Sequence, residues 1–193
     1  LDRAVRYDAH EKNDILQLRS LCESADSDAF LPMSSEEVTD IRLPAFVLQL
    51  RSVVQASVER AITEGVLDIN GLMPQHSWDR IGRYARFSDG NGVGIWFGIH
   101  FELWRKLGGT PLWLVFSTTS FGRSHEVRRR LEPWAKQKKC VLDECENGEL
   151  VVAIDVPLGE ERAAVVKGVV ERLKEIAVVL SSLQVKPAGQ PEA

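Results

Sequence analysis

Residues 93–104 alternate strictly between apolar side chains and a mixed set. The odd-numbered members are Val93, Ile95, Phe97, Ile99, Phe101 and Leu103, and the even-numbered ones are Gly94, Trp96, Gly98, His100, Glu102 and Trp104. Successive side chains of a β-strand point to opposite faces, so this pattern predicts one long strand. We call its two sides the apolar face and the mixed face. The apolar face is typical of a sheet's inner surface, whereas the mixed face requires a separate explanation.

Patterns typical of helices and strands follow one another along the rest of the chain. Helical spacing of apolar residues occurs over residues 10–25, 44–65, 124–138 and 160–183. Strand patterns occur over residues 83–87, 112–117 and 141–156. The last of these contains Asn147-Gly148, the residue pair that a type I′ hairpin turn favours. Residues 66–73 contain Asn70-Gly71 and predict a loop.

This order predicts an α+β protein in which strand hairpins alternate with helices. We expect a helical N-terminal segment over residues 1–78 and an α+β domain over residues 79–183, followed by a disordered tail over residues 184–193. The sheet is expected to be mostly antiparallel and five-stranded, in the order βββαββα, with helices packed on one face.

Charge is segregated along the chain. Residues 79–140 carry 12 Lys and Arg against 5 Asp and Glu, although the whole chain has a net charge of −4. A basic segment between acidic flanks favours an anionic partner such as nucleic acid. The alternative is that the acidic flanks fold back and neutralise the basic centre within the molecule.

Composition also narrows the class of protein. No apolar run approaches the ~18 residues needed to cross a bilayer, so we expect no membrane partner. Three cysteines without a Cys-x-x-Cys pair favour a reducing, cytoplasmic compartment. The four histidines have no metal-ligand spacing, so the sequence predicts neither a metal site nor a cofactor.

The mixed face is the candidate functional surface. Glycines beside flat rings leave room for an unstacked base, and nearby cations could bind its phosphates. His100 beside Glu102 is expected to titrate near neutral pH. The candidate nucleic-acid or ligand-binding residues are Arg83, Tyr84, Arg86, Trp96, His100, Glu102, Trp104, Arg105, Lys106 and Trp113.

Three other interpretations of the mixed face stay open. The N-terminal helices could cover it, which would make the tryptophans a second core layer. The face could instead line a small-molecule pocket, with His100 as acid or base and Glu102 as its orienting partner. Finally, its aromatic rings could form a homodimer interface.

Two stretches carry a resemblance to a known group of proteins: LRSLCESADSDAFLPMSSEEVTD over residues 18–40 and GIWFGIHFELWRKLGGTPLWLVF over residues 94–116. They resemble the C-terminal region of uncharacterised bacterial proteins whose N-terminal part is similar to a PD-(D/E)XK nuclease. The nuclease pattern needs a Glu/Asp-x-Lys strand to hold Mg²⁺, and this chain has no Glu-x-Lys. The resemblance therefore implies a non-catalytic recognition module that accompanies a nuclease-like domain upstream and acts on nucleic acid.

Overall fold

The computed structural model of the chain describes residues 35–88, 92–181 and 183. The helix predicted over residues 10–25 and the tail predicted over residues 184–193 lie outside these ranges. The chain divides into two compact units, Leu1–Leu43 and Pro44–Ala193, and the sheet belongs to the second.

The described elements alternate between helices and short strands. In chain order they are α1 (Ser35–Thr39), α2 (Arg42–Thr63), β1 (Leu67–Asp68), β2 (Pro74–His76), β3 (Arg80–Phe87), β4 (Gly94–His100), α3 (Phe101–Leu107), β5 (Leu112–Phe116), α4 (Ser124–Lys138), β6 (Leu142–Glu144), β7 (Leu150–Ile154) and α5 (Arg162–Leu180). This confirms the α+β class.

The sheet is antiparallel and has seven strands rather than the predicted five. Its order is β1-β3-β4-β5-β7-β6, and β2 also pairs with β3. The two unpredicted strands, β1 and β2, lie within the segment that was expected to be helix and loop up to residue 78. Both are edge strands of two or three residues, which are too short to show a periodic pattern, and Pro74 is tolerated at the start of such a strand.

The apolar face of the sheet holds the larger core. The inward residues of β4, β5 and β7 are fully buried there together with apolar stripes from three helices. These stripes include Leu50 and Val58 of α2, Leu131 of α4, and Val169 and Leu173 of α5. The long N-terminal helix that the structure describes, α2, therefore contributes to the apolar face and not to the mixed face.

The central strand β4 is shorter than the alternation predicts, because it ends at His100 and α3 begins at Phe101. Its partner β3 begins at Arg80, which lies directly opposite His100, so residues beyond His100 have no strand to pair with there. The Phe101 N–H still donates across to Asp79 O at 2.9 Å, and the chain then continues as α3. The His100 side chain caps this helix, since its Nδ1 accepts a hydrogen bond from the Leu103 N–H at 3.4 Å.

Two glycines allow β3 and β4 to approach closely. Gly82 and Gly98 are directly paired, and a Cβ on Gly98 would meet Ile81 O and the Gly82 Cα. A Cβ on Gly82 would lie 2.6 Å from Cζ2 of Trp96. Neither position therefore has room for a side chain, and the indole of Trp96 lies over the space above Gly82.

We expect Gly98→Ala to lower the free energy of unfolding by about 3 kcal/mol, because the new methyl group forces the strands apart. Gly65→Ala is the control. Its Cβ meets open space, and only its positive φ of 69° opposes the change, at about 1 kcal/mol. Urea denaturation of the two variants measures both values, and equal losses would contradict the close approach of the strands.

Candidate functional site

A groove of about 380 Å³ opens between α3 and the hairpin that joins β6 to β7. One side is formed by Arg80 of β3, His100 of β4, and Glu102 and Lys106 of α3. The hairpin side is formed by Asp143, Glu144, Cys145, Glu146, Asn147 and Glu149. The groove therefore brings together three of the predicted site residues, His100, Glu102 and Lys106.

A buried polar network lies beside the groove at the start of β3. Asp79 accepts hydrogen bonds from the Ser77 hydroxyl at 2.6 Å and from Nε of Arg80 at 2.8 Å. Nε2 of His100 lies 4.0 Å from Oδ2 of the same carboxylate. Asp79 and His100 are both buried, and the guanidinium of Arg80 lies 5.6 Å from the ring centre of Trp96. Buried charged groups that converge on a cleft are typical of binding sites.

His100 is uncharged at neutral pH in this setting. Burial and then the positive charge of Arg80 lower its pKa to about 4, against the smaller opposing effects of Asp79 and Glu149. Because Nδ1 accepts from the Leu103 N–H, the proton of the neutral ring lies on Nε2. The expectation that His100 titrates near neutral pH is therefore wrong: burial outweighs its carboxylate neighbours.

Asp79 keeps its negative charge although it is buried. Burial alone would raise its pKa, but hydrogen bonds from Ser77 and Arg80 outweigh that effect and lower the pKa. The network thus combines a carboxylate, a guanidinium and a neutral imidazole.

Two of the predicted tryptophans are inside the molecule. Trp96 exposes 2% of its surface and Trp113 exposes none, and both belong to a second apolar cluster that also contains Leu103, Val115 and Val151. The indole N–H of Trp113 donates to Thr110 O at 3.0 Å. These rings form a second core layer, but the described N-terminal helix α2 packs against the apolar face and does not cover them as that interpretation expected. They are not accessible to a base, and they could not form a homodimer interface in this state.

The remaining predicted residues lie at several separate places. Tyr84 and Arg86 do point to the mixed face, where Arg86 lies over the ring of Phe121 at 5.4 Å. Arg83 pairs with Phe97 and so points to the opposite, apolar face. Trp104 lies on α3 and not in a strand, with its ring centre 6.0 Å from that of Phe46 on α2. Arg105 and Lys106 are exposed on the same short helix.

The groove carries more negative than positive charge. Five carboxylates line it, Glu102, Asp143, Glu144, Glu146 and Glu149, against the two cations Arg80 and Lys106. This balance disfavours a phosphate backbone at the groove and favours a cationic ligand.

Sequence reasoning missed Arg80 and Cys145 as groove residues, and it missed Asp79 beside the groove. The sequence does contain a signal for Arg80: pairing the two strands outward from the turn at residues 88–92 places Arg80 opposite His100. Cys145 is half-buried, and burial raises the pKa of its thiol, as do Glu149 and Asp143. It therefore stays protonated and is a weak nucleophile at neutral pH.

Two classes of feature are absent from the described ranges, 35–88, 92–181 and 183. No three His, Cys, Asp or Glu side chains there come together as a metal site would require. No helix in those ranges is both long enough and apolar enough to cross a membrane.

Comparison with protein-family models, with curated proteins and with solved structures yields no match. The similarity to the region that accompanies PD-(D/E)XK nucleases stays a prediction, as does the nuclease-like domain upstream. The function has to be inferred from the geometry of the molecule itself.

The lowered pKa of His100 predicts a loss of stability in acid. The unfolded chain takes up a proton on this histidine below about pH 6.5, whereas the folded chain does so only below about pH 4. The stabilisation is therefore fully present above pH 6.5 and is lost as the pH falls towards 4. Between pH 7 and pH 4.5 we expect His100 to contribute a loss of about 2 kcal/mol in the free energy of unfolding.

His100→Asn should remove this contribution, because asparagine can still cap α3 but does not titrate. His125→Asn, at an exposed histidine of α4, is the matched control and should keep the full loss. Denaturant titrations at the two pH values measure the difference. An unchanged acid loss in His100→Asn would show that His100 is not held neutral by the fold.

Proposed function

We propose that this domain binds a small polar molecule that carries a positive charge, in the groove between α3 and the β6–β7 hairpin. The observation that supports this most directly is the position of His100. It is only 7% exposed, it lines the groove, and its Nε2 lies 4.0 Å from Oδ2 of Asp79, which is beyond hydrogen-bond distance. A polar group that is buried in this way gains a partner when a ligand accepts its hydrogen bond.

The ligand's chemistry follows from the two kinds of group in the groove. The neutral His100 ring offers an N–H donor at a fixed place, because Nδ1 is already engaged at the start of α3. The surrounding carboxylates accept hydrogen bonds from an ammonium group, and charge-assisted bonds of this kind are the stronger ones. A molecule with a primary amine close to a carbonyl or hydroxyl oxygen satisfies both requirements.

Binding rather than group transfer is the role that these side chains support. His100 has a pKa too low for efficient proton abstraction near neutral pH, and Cys145 is held as a thiol. A binding role agrees with a recognition module. It also agrees with the interpretation that the mixed face lines a small-molecule pocket, except that His100 donates a hydrogen bond there and does not act as an acid or base.

The probe for this proposal is glycinamide, which joins an ammonium group to a carbonyl, and its control is the uncharged N-acetylglycinamide. We expect glycinamide to shift the amide resonances of residues 102–106 and 143–149, and Glu102→Gln to weaken its binding about tenfold, the effect of one lost charge-assisted bond. Glu171→Gln, on the exposed side of α5, should leave binding unchanged. Equal shifts from the two compounds, or equal binding by Glu102→Gln and the unmodified chain, would refute a cation site.

Nucleic-acid binding stays a second candidate, on a different surface from the one predicted. The exposed side of α4 carries Arg129 and Arg130, followed by Lys139, and none of the three has an ion pair within the described residues. A row of unpaired cations on one helix attracts a polyanion. Neighbouring cations of the same helix are already neutralised, as in the pair of Lys138 with Glu175.

Fluorescence anisotropy with a labelled single-stranded oligonucleotide tests this candidate. We expect binding that weakens with salt, and the double variant Arg129→Ala/Arg130→Ala should reduce the slope of log K against log salt by about 1–2. Lys167→Ala on α5 is the control for nonspecific charge loss. A salt slope that is the same in the double variant and the unmodified chain would exclude α4 as the contact surface.

A further inference from the structure

A second cavity lies on the apolar side of β3, outside the groove described above. It has a volume of about 260 Å³ and lies between α2 and strands β2 and β3. Aliphatic side chains form half of its lining, with Val54, Val58 and Ile62 from α2 facing Ile69 and Ile81, and most of the other lining residues are polar or charged. Such a cavity fits a ligand with an apolar body.

Arg83 brings a positive charge into this cavity. Its register opposite Phe97 places it on the apolar face, and it is half-buried. One guanidinium nitrogen, Nη2, donates to Leu72 O at 3.3 Å. The Nε atom is buried and has no hydrogen-bond partner, and Arg83 forms no ion pair within the described residues. The side chain as a whole is only half-buried, so its guanidinium places a positive charge without an ion-pair partner at the cavity wall, and this charge favours an incoming anion.

The other charged groups at the cavity leave this positive charge in excess. Arg51 lines the cavity from α2 and also has no ion pair within the described ranges. The one carboxylate in the lining, Glu59, already accepts a hydrogen bond from Nε2 of Gln55 at 3.0 Å. The lining therefore carries two guanidinium groups against one carboxylate, a balance that favours an anion over a second cation.

We infer that this cavity is a second ligand site, which takes a small apolar molecule bearing a carboxylate or similar anion, with the anion at Arg83 and the apolar body against α2. A guanidinium binds a carboxylate through paired hydrogen bonds, which gives the site its orientation. The volume suits a short chain or a single ring. This site is independent of the proposed cation groove, because its side chains lie on the other face of β3.

The probe is hexanoate, with hexanol as the uncharged compound of the same chain length. We expect hexanoate to shift the amide resonances of residues 51–62 and 81–83 with a dissociation constant on the order of 1 mM, and hexanol to bind at least about tenfold more weakly. The amides of residues 102–106 and 143–149 should not move, which separates this result from any outcome at the groove.

Arg83→Met keeps the aliphatic stem and removes the charge, so it should weaken hexanoate binding about tenfold and leave hexanol binding unchanged. Arg86→Met is the matched control, because Arg86 lies on the same strand but points to the mixed face, against Phe121. It should bind hexanoate as the unmodified chain does.

Ile62→Trp provides a second variant that does not depend on the folding of Arg83→Met. Ile62 is 37% exposed at the rim, so a larger side chain there fills the cavity without entering the core. We expect it to abolish hexanoate binding. Equal binding of hexanoate and hexanol, equal binding by the Ile62→Trp variant and the unmodified chain, or shifts confined to the groove would each overturn the inference.

Discussion

The burial of β4 on both faces is the constraint on which the rest of the structure depends. All seven residues from Gly94 to His100 are buried, so a polar side chain on this strand must find its partners inside the molecule. His100, at the last position of the strand, finds such a partner through Nδ1, whereas the indole N–H of Trp96 is buried without one. The His100 imidazole begins α3 through Nδ1 and lies beside Asp79 through Nε2. The same residue thus ends β4, caps α3 and lines the groove.

The neighbouring strand β3 distributes charge between the two faces. Arg80 and Arg86 point to the mixed face and Arg83 to the apolar face, as strand alternation requires. Arg80 is balanced by Asp79 at 2.8 Å, whereas Arg83 has no carboxylate partner within the described residues. The groove lining, with five carboxylates, is rich in negative charge, and the lining of the second cavity has two arginines against one carboxylate. One strand therefore contributes an arginine to the lining of each of the two cavities.

Sequence patterns predicted what depends on local periodicity and missed what depends on pairing. The apolar face over residues 93–99 and the stripes of α2, α4 and α5 follow from spacing alone, and the structure confirms them, whereas Leu103, which was predicted for the same face, belongs to the second cluster. The end of β4 depends instead on where β3 begins, and the burial of Trp96 depends on its contact with Gly82, across the strand pair. Charge counts likewise cannot show that Arg128 pairs with Glu144 and Lys138 with Glu175, so that part of the basic segment is neutralised by the acidic C-terminal residues.

The most direct measurement is the protonation state of His100 in the folded chain, read from its ring nitrogens by long-range ¹H–¹⁵N correlation spectroscopy. The expected result is a neutral ring at pH 7 with its proton on Nε2 and a pKa of about 4. A proton on Nδ1, or a ring that takes up its second proton near pH 6.5, would contradict both the capping role of Nδ1 and the donor that we assign to the groove.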